Sequence, residues 1–521
     1  MKYIFSLFCS ILFGAISYSQ TTPVQLWQKV EFIERINLKP PTIALDNFGN
    51  TYMLTNQTNT SPFGGTRLVK YDTLGNVLWQ RNSPVGIIGI FYGSFTLDSI
   101  GNAYLGFGYD GGLPNYDADA VLVKYSPDGD VLWSSNYGIN QAGDSYIYFS
   151  DMDTINGRLI TLGMNLHDTI LDENFLFVQA VDTSNGGVIW KTKIEGEFRP
   201  QNIRVRADHI QLLSTRYKPD SRYFVNTRVG FDGTLLEQYE KPYSGNYAID
   251  FNCISKNGDV VFGNRADGYS VTRVNFEGDT LWRHAYPYVV LENWVRCVQE
   301  DNSLNIYATG SSPSADDNFD FTTTKISLEG EILWEKREKI QDQIFETGNK
   351  VFVSDSLIFV AGAFKPTSDS AKILIKVYDA LGDERNTIVM GNKRVNSSED
   401  IIYRDDKIYF TGYQRQSGNT TVEIVTGVFL LPKISVSDEP ERPSEMIAVY
   451  PNPAQDYIRV TNIDLKVFDQ VCIFDTNGKM INKRKINNRE EVVPIHSIPP
   501  GNYTVSLIGK DVILSKKIVK M

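Results

Sequence analysis

The sequence predicts an all-β fold: an eight-bladed β-propeller over 20–433, followed by a small β-sandwich over 447–521. Three observations predict it. A phrase of strand, tight turn and strand recurs along most of the chain. A second, shorter phrase precedes each copy of the first. Beyond Lys433 both phrases stop and the composition changes.

The clearest copy is Val121-Leu-Val-Lys-Tyr-Ser-Pro-Asp-Gly-Asp-Val-Leu-Trp133. Val121, Val123 and Tyr125 alternate with Leu122 and Lys124, the period of a β-strand. Asp128-Gly129 supplies the positive φ of a tight hairpin, and Val131-Leu132-Trp133 restarts an apolar strand. The turn glycine and its tryptophan recur as Gly75 with Trp79, Gly129 with Trp133, and Gly187 with Trp190. Gly278 with Trp282 and Gly330 with Trp334 continue the series. Gly233 and Gly382 mark two further copies, with Leu236 at the tryptophan position in one and Glu384 near it in the other. The spacing of about 51 residues falls in the range of propellers and solenoids.

The second phrase is seen as Asp46-Asn-Phe-Gly-Asn-Thr-Tyr52 and Asp98-Ser-Ile-Gly-Asn-Ala-Tyr104, with six weaker copies behind it. Each unit therefore reads as four strands, which the first unit places at 41–45, 50–55, 66–72 and 76–82. The eighth unit has strands near 398–404, 407–413 and 421–431 and no tryptophan strand. That strand lies at the other end of the chain, where Gln25-Leu-Trp-Gln-Lys-Val30 matches Leu78-Trp-Gln-Arg81. Pairing the two ends shuts a ring and removes the exposed sheet edges of an open array. A seven-bladed ring is the alternative, reached if the short fourth and fifth units fuse. Trp27, Trp79, Trp133, Trp190, Trp282 and Trp334 keep a fixed place in the repeat, so they are read as structural, each filling the gap to a neighbouring blade.

At 521 residues the chain exceeds one ordinary domain unless that domain is a repeat array. Its 42% hydrophobic and 22% charged content belongs to a folded chain. A formal net charge of −11 disfavours nucleic acid and anionic membrane as partners. Residues 1–19 read as a signal peptide: Lys2, an apolar run from Tyr3 to Ile16, then small Ser17 and Ser19, with cleavage before Gln20. Neither this run nor any later one is long enough for a transmembrane segment. Cys253, Cys297 and Cys472 in the mature chain make no disulfide framework, so stability is expected from packing.

Ala120-Val-Leu-Val-Lys-Tyr-Ser-Pro-Asp-Gly-Asp-Val-Leu-Trp133 and Ile306-Tyr-Ala-Thr-Gly-Ser311 resemble the bacterial propeller repeats known as SBBP repeats. More distantly they resemble the tryptophan-containing blades of quinoprotein alcohol dehydrogenases. Those enzymes carry a cofactor in the ring; no residue set here matches one, and no cofactor is expected.

Past a polar, Pro-bearing linker at 434–446 the chain reads as alternating short strands. Tyr450-Pro451-Asn452-Pro453 opens this tail, Pro-Gly501-Asn-Tyr503 begins a late strand, and Lys516-Lys517-Ile-Val-Lys520 nearly ends the chain. In order and position these motifs resemble the type A C-terminal sorting domain of the Bacteroidetes type IX secretion system. The resemblance implies an Ig-like module read by that machinery at the outer membrane, with the cargo released or held at the surface.

Chemistry has little to draw on. His167, His209, His284 and His496 show no paired spacing, and no nucleophile elbow or phosphate loop appears. Asp110, Asp117 and Asp119 in one loop, and Asp316, Asp317 and Asp320 in another, offer oxygen ligands for Ca²⁺ but lack the spacing of a known calcium loop. A glycosidase pair cannot be picked from 62 acidic residues. Loop length is more informative. First-to-second and third-to-fourth turns are tight and share one face of the ring. The remaining loops are long, aromatic and on the opposite face, where binding residues concentrate. Phe63, Tyr116, Tyr217, Tyr288, Trp294 and Phe319 are the candidates there. The expected protein is a monomeric binding or adhesion module for a glycan or protein, secreted or surface-held. The alternative is a polysaccharide-active hydrolase or lyase.

Overall fold

In the computed structural model the chain divides into two compact units, Met1–Lys433 and Ile434–Met521. The structure describes residues 22–521 apart from 34–39, 58–64, 83–92, 111–117, 138–143, 154–155, 167–173, 219–220, 244–250, 265–267, 286–293, 314–318, 339–345, 368–369, 392–394, 416–421 and 432–447, and, in the tail, 462–464, 466–467, 476–479 and 510–512. The signal-peptide and linker readings lie outside these residues. Every described element is β, with no helix.

The larger unit contains eight four-stranded antiparallel sheets among the described residues, of the kind that form propeller blades. The first holds Thr42–Leu45, Thr51–Gln57, Gly65–Tyr71 and Val77–Asn82 in sequence order. Six more repeat that order. The last differs: Val24–Ile33 pairs with Val422–Leu430, which continues through Lys407–Arg415 to Val395–Arg404. Its register runs from Val24 opposite Leu430 to Ile33 opposite Val422, so the two ends of the unit share one sheet.

The first strands of the sheets are Thr42–Leu45, Ser94–Leu97, Asp144–Asp153, Phe198–Val205, Phe251–Ile254, Trp294–Glu300, Glu346–Val353 and Val395–Arg404. Each touches the next, and the eighth touches the first. Apolar cores lie between adjacent sheets, as where Ile160, Leu162 and Val178 of the third meet Ile203, Leu212 and Val225 of the fourth.

Local chemistry explains the repeated phrases. Asp98 Oδ1 accepts from the backbone N–H of Ile100 and Asn102, while its Oδ2 accepts from the Asn102 side chain. Asp46 with Asn50 and Asp301 with Asn305 build the same turn. At the third of these Leu304, with φ 64°, stands where the others have glycine, so that copy is weak in sequence yet intact in shape.

The tryptophans lock onto the following sheet. A Cβ on Gly129, which has φ 85°, would sit 2.6 Å from the Trp79 ring, so only glycine fits there. Trp27 meets Gly75, Trp190 meets Gly233, Trp282 meets Gly330 and Trp334 meets Gly382 in the same way. The Trp79 indole N–H and the Lys70 ammonium both donate to the Pro127 carbonyl, at 2.8 and 2.9 Å. Lys124 with Trp133 grips the Thr183 carbonyl, and Lys325 with Trp334 the Ala380 carbonyl. A charged donor makes such a bond worth about 1.5–3 kcal/mol against leaving its acceptor unmet.

Three positions differ from expectation. The left-handed turn glycine before Trp190 is Gly186, not Gly187, because that turn is one residue longer, and it is Gly186 that Trp133 meets. In the fourth sheet Glu237, not Leu236, takes the tryptophan position: it pairs with Arg228 as Trp79 pairs with Lys70. A bulge before the slot turns Leu236 outward to 51% exposure, as it does Leu78. In the seventh sheet the position belongs to Asn386, opposite Val377, and Glu384 instead binds Lys376.

The smaller unit pairs Ala448–Tyr450, Tyr457–Thr461 and Glu491–Pro494 in one sheet. Met480–Lys485, Phe468–Phe474, Gly501–Gly509 and Ile513–Lys520 form a second. Ile458, Val460 and Val493 from the first share a core with Phe468, Val471, Val505 and Ile518 from the other.

Candidate functional site

Where the first strands converge, a cavity of about 720 Å³ opens among sheets four to eight. β-Bulges aim side chains into it, as extra residues in a strand commonly do. Register shifts between Val295 and Cys297, Gly348 and Lys350, and Ser398 and Asp400 leave Arg296, Asn349 and Glu399 as the extra residues, and all three line the cavity. Arg204, Lys350, Asn202 and Asn252 join them.

The wall is cross-braced. Asn349 Nδ2 donates to Ser397 Oγ at 2.6 Å and to the Ser398 carbonyl at 3.1 Å. Asn202 donates to Asn252 Oδ1 at 2.8 Å, and Arg204 to the Ile254 carbonyl. Asp400 stands 3.5 Å from Lys350, and its other oxygen accepts from Thr42 Oγ1 and the Ile43 N–H, tying the eighth sheet to the first. The Asp400 charge raises the Lys350 pKa, so that ammonium is held charged. Among the lining residues Arg204, Arg296 and Lys350 stand with one carboxylate, Glu399, while Asp400 behind the wall balances Lys350.

Glu399 is pushed up to about 7, first by burial and then by the Asp400 charge, with Ser397 and Arg296 pulling the other way. It is partly exposed and lines the cavity, and its burial leaves the carboxyl poorly solvated. A carboxyl raised on folding stabilises the protein below its unfolded value of 4.5, and that contribution is lost as pH rises through about 7. We expect the stability advantage of Glu399→Gln over the unchanged protein to grow by about 2–3 kcal/mol from pH 4.5 to 8. Urea melts of both proteins at the two pH values check this.

The predicted binding-face residues divide. Phe63, Tyr116 and Tyr288 lie outside the described residues, and of Phe319 the structure gives only its place opposite Pro313 in a strand pair. Tyr217 has the guanidinium groups of Arg199 and Arg222 5.0 and 5.1 Å from its ring centre. Trp294 begins its strand with Arg296 4.9 Å from its ring, which links one predicted aromatic to the cavity wall. The cavity residues themselves escaped sequence reasoning. Their one signal is adjacent polar residues, Asn349-Lys350 and Glu399-Asp400, breaking a strand's alternation where a bulge falls.

Of the acidic loop residues, Asp117, Asp316 and Asp317 lie outside the described set. Asp119 accepts from Asn136 at 2.6 Å, and Asp320 lies 4.0 Å from Arg337. No group of three His, Cys, Asp or Glu poised for a metal occurs among the described residues. Nor is any helix among them long and apolar enough to cross a membrane.

In the smaller unit the predicted motifs come together. Asn452 Oδ1 accepts from the Val519 N–H at 2.9 Å. The Ala454 N–H donates to the Val519 carbonyl, and the Met521 N–H returns to Ala454. Tyr450, Pro451 and Pro453 are exposed along this seam, as is Lys516 on the terminal strand, where Lys517 pairs with Thr504. Tyr503, in the strand opened by Gly501, is buried and donates to the Pro499 carbonyl at 2.9 Å. Opening and closing motifs therefore form one edge.

Residues 448–521 match the secretion system C-terminal sorting domain. The sorting domain spans the whole smaller sheet pair and includes every tail motif named above. No curated protein matches the chain. Among solved structures, a puromycin hydrolase is 12% identical with a TM-score of 0.45, covering 76% of this chain and 62% of that one. PorZ, a surface component of the type IX secretion system of Porphyromonas gingivalis, is 11% identical with a TM-score of 0.27, covering 92% and 74%. The polysaccharide lyase Uly1 is 11% identical with a TM-score of 0.37, covering 69% and 92%.

Proposed function

We propose that this protein is an exported, monomeric eight-bladed β-propeller that binds an acidic glycan or protein ligand at the cell surface or outside the cell. Its Ig-like sorting domain is handed to the type IX machinery after a signal peptide has carried the chain across the inner membrane. The closed succession of eight sheets and the shared terminal sheet support the ring. One observation carries the binding reading: Arg204, Arg296 and Lys350 converge on a single cavity whose lining holds one carboxylate, Glu399, with Asp400 behind the wall paired to Lys350, in a chain of net charge −11. Cations concentrated in a concave site of low dielectric attract a complementary anionic group far more than the same charges scattered in water. Trp294, and beyond it the long-loop face with Tyr217, extend the contact outward.

A hydrolase or lyase is the second reading, favoured by Glu399. A carboxyl raised to about 7 in a cavity is suited to general acid work at neutral pH. The two-acid arrangement of a glycosidase is absent from the lining among the described residues. An array of neutral and uronate-bearing glycans and acidic peptides, run beside an assay for new reducing ends and unsaturated products, separates the readings. We expect saturable binding to acidic members, weakened at least tenfold by Arg296→Ala, without products. Turnover of any polymer overturns the binding reading in favour of the second; binding confined to neutral members overturns the cavity assignment.

A further inference from the structure

Sheets one, two and six set a tyrosine, a lysine and a tryptophan side by side across three strands: Tyr52–Lys70–Trp79, Tyr104–Lys124–Trp133 and Tyr307–Lys325–Trp334. In the fourth sheet the same positions hold Gln211, Arg228 and Glu237. All three members of the interlock are replaced together by polar groups. There, between the fourth and fifth sheets, a cavity of about 400 Å³ opens, lined by Arg206, Asp208, His209, Arg228, Glu237 and Asn257.

The cavity is built rather than merely left empty by a smaller side chain. Arg228 donates to Glu237 at 2.8 Å and lies 3.7 Å from the centre of the Phe276 ring, which fixes its plane. Arg206 donates to the Ser255 carbonyl at 2.8 Å, holding it against the fifth sheet. His209, 8% exposed, has Nδ1 2.8 Å from the Asp208 carboxylate. Burial keeps this imidazole below its ordinary pKa, so the ring is neutral. With Nδ1–H given to Asp208, Nε2 carries a lone pair and is an acceptor.

Among the buried polar atoms with no partner among the described residues, two belong to residues lining this cavity, His209 Nε2 and Arg228 Nε, and a third, Gln211 Oε1, belongs to the side chain bonded to the lining residue Gly258. Two are acceptors and one is a donor. Leaving each unmet costs about 1–3 kcal/mol. A hydroxyl group both donates and accepts, so a molecule bearing adjacent hydroxyls answers this mixture where a purely accepting or purely donating ligand does not. Charge gives the same answer. Arg206 and Arg228 balance Asp208 and Glu237, so an anion meets carboxylates and a cation meets guanidinium groups.

We propose that this slot is a second binding site, distinct from the cavity where the first strands converge, for a small neutral hydroxyl-rich ligand such as a single hexose unit. It occupies the position that tryptophan fills in most of the other sheets. The site opens to solvent past the exposed Asp208 and Glu237 side chains, so a terminal sugar of a longer chain enters as readily as a free one.

Saturation-transfer NMR on the mature full-length protein tests this. The probes are D-glucose, D-galactose, D-mannose and N-acetyl-D-glucosamine, with glucuronate and glucosamine as charged counterparts. At least one neutral sugar is expected to bind saturably, at least tenfold more tightly than either charged counterpart. Glu237→Trp, which restores the residue of most other sheets, and His209→Ala, which removes the acceptor, are each expected to weaken that binding at least tenfold. Thermal melts establish that each protein compared is folded, and if one variant fails to fold the other decides. The proposal is overturned if none of the four neutral sugars binds the folded protein, if a charged counterpart binds as tightly, or if a folded variant binds with undiminished affinity.

Discussion

Removal of 447–521 is expected to abolish appearance of the protein outside the cell while leaving the larger unit folded and held in the periplasm. The sorting domain has its own core, in which Ile458, Val493, Phe468 and Ile518 meet from two sheets, and it shares no repeat phrase with the larger unit. Units with separate cores fold separately, so truncation at the linker leaves the cores between the eight sheets intact. What is lost is the edge on which Asn452 and Ala454 hold the terminal strand. Cell fractionation with immunoblotting, paired with a melting curve of the truncated protein, checks both halves. Surface display that survives truncation contradicts the sorting role. A truncated protein that no longer melts cooperatively contradicts the independence of the units.

Much of the architecture was legible because the repeat writes its packing into the sequence. Asp-x-x-Gly-Asn specifies a turn whose carboxylate is consumed by local N–H groups, and the tryptophan position announces an indole that must meet a glycine. The pairing partner was not legible. Trp79 follows Gly75 in sequence but packs on Gly129, one unit later, because the interlock runs between sheets and not within them. Bulges were the second blind spot. One extra residue reverses which side chain faces inward, so the tryptophan position falls on Glu237 and not on Leu236, and only the adjacent polar pairs Asn349-Lys350 and Glu399-Asp400 mark where a strand turns a side chain into the cavity. The predicted aromatic face followed from loop length alone. Of the aromatic residues expected there, Trp294 stands beside Arg296 of the cavity wall, while the charges that give the cavity its character lie inside the strands.

The pairing of the two ends of the larger unit carries the second large effect. Among the described residues Val24–Ile33 is the one strand of the larger unit taken out of sequence order, and it pairs with Val422–Leu430 over its full length. Trp27 is 8% exposed, packed on Gly75 of the first sheet and 5.6 Å from the centre of the Tyr71 ring. Losing one buried tryptophan costs about 3–5 kcal/mol by itself. Removing the whole strand also leaves the N–H and C=O groups along Val422–Leu430 facing a new sheet edge. Against a net stability of about 5–15 kcal/mol, these losses leave little or no folded population.

The most direct measurement is therefore complementation. A protein lacking 22–33 is titrated with a synthetic peptide of residues 22–36, and unfolding is followed by tryptophan fluorescence and heat. A closed ring predicts that the shortened protein loses its cooperative transition, and that the peptide restores it saturably at one peptide per chain. A peptide with Trp27→Ala should restore it poorly. A shortened protein that melts like the intact one, and gains nothing from the peptide, would contradict the ring.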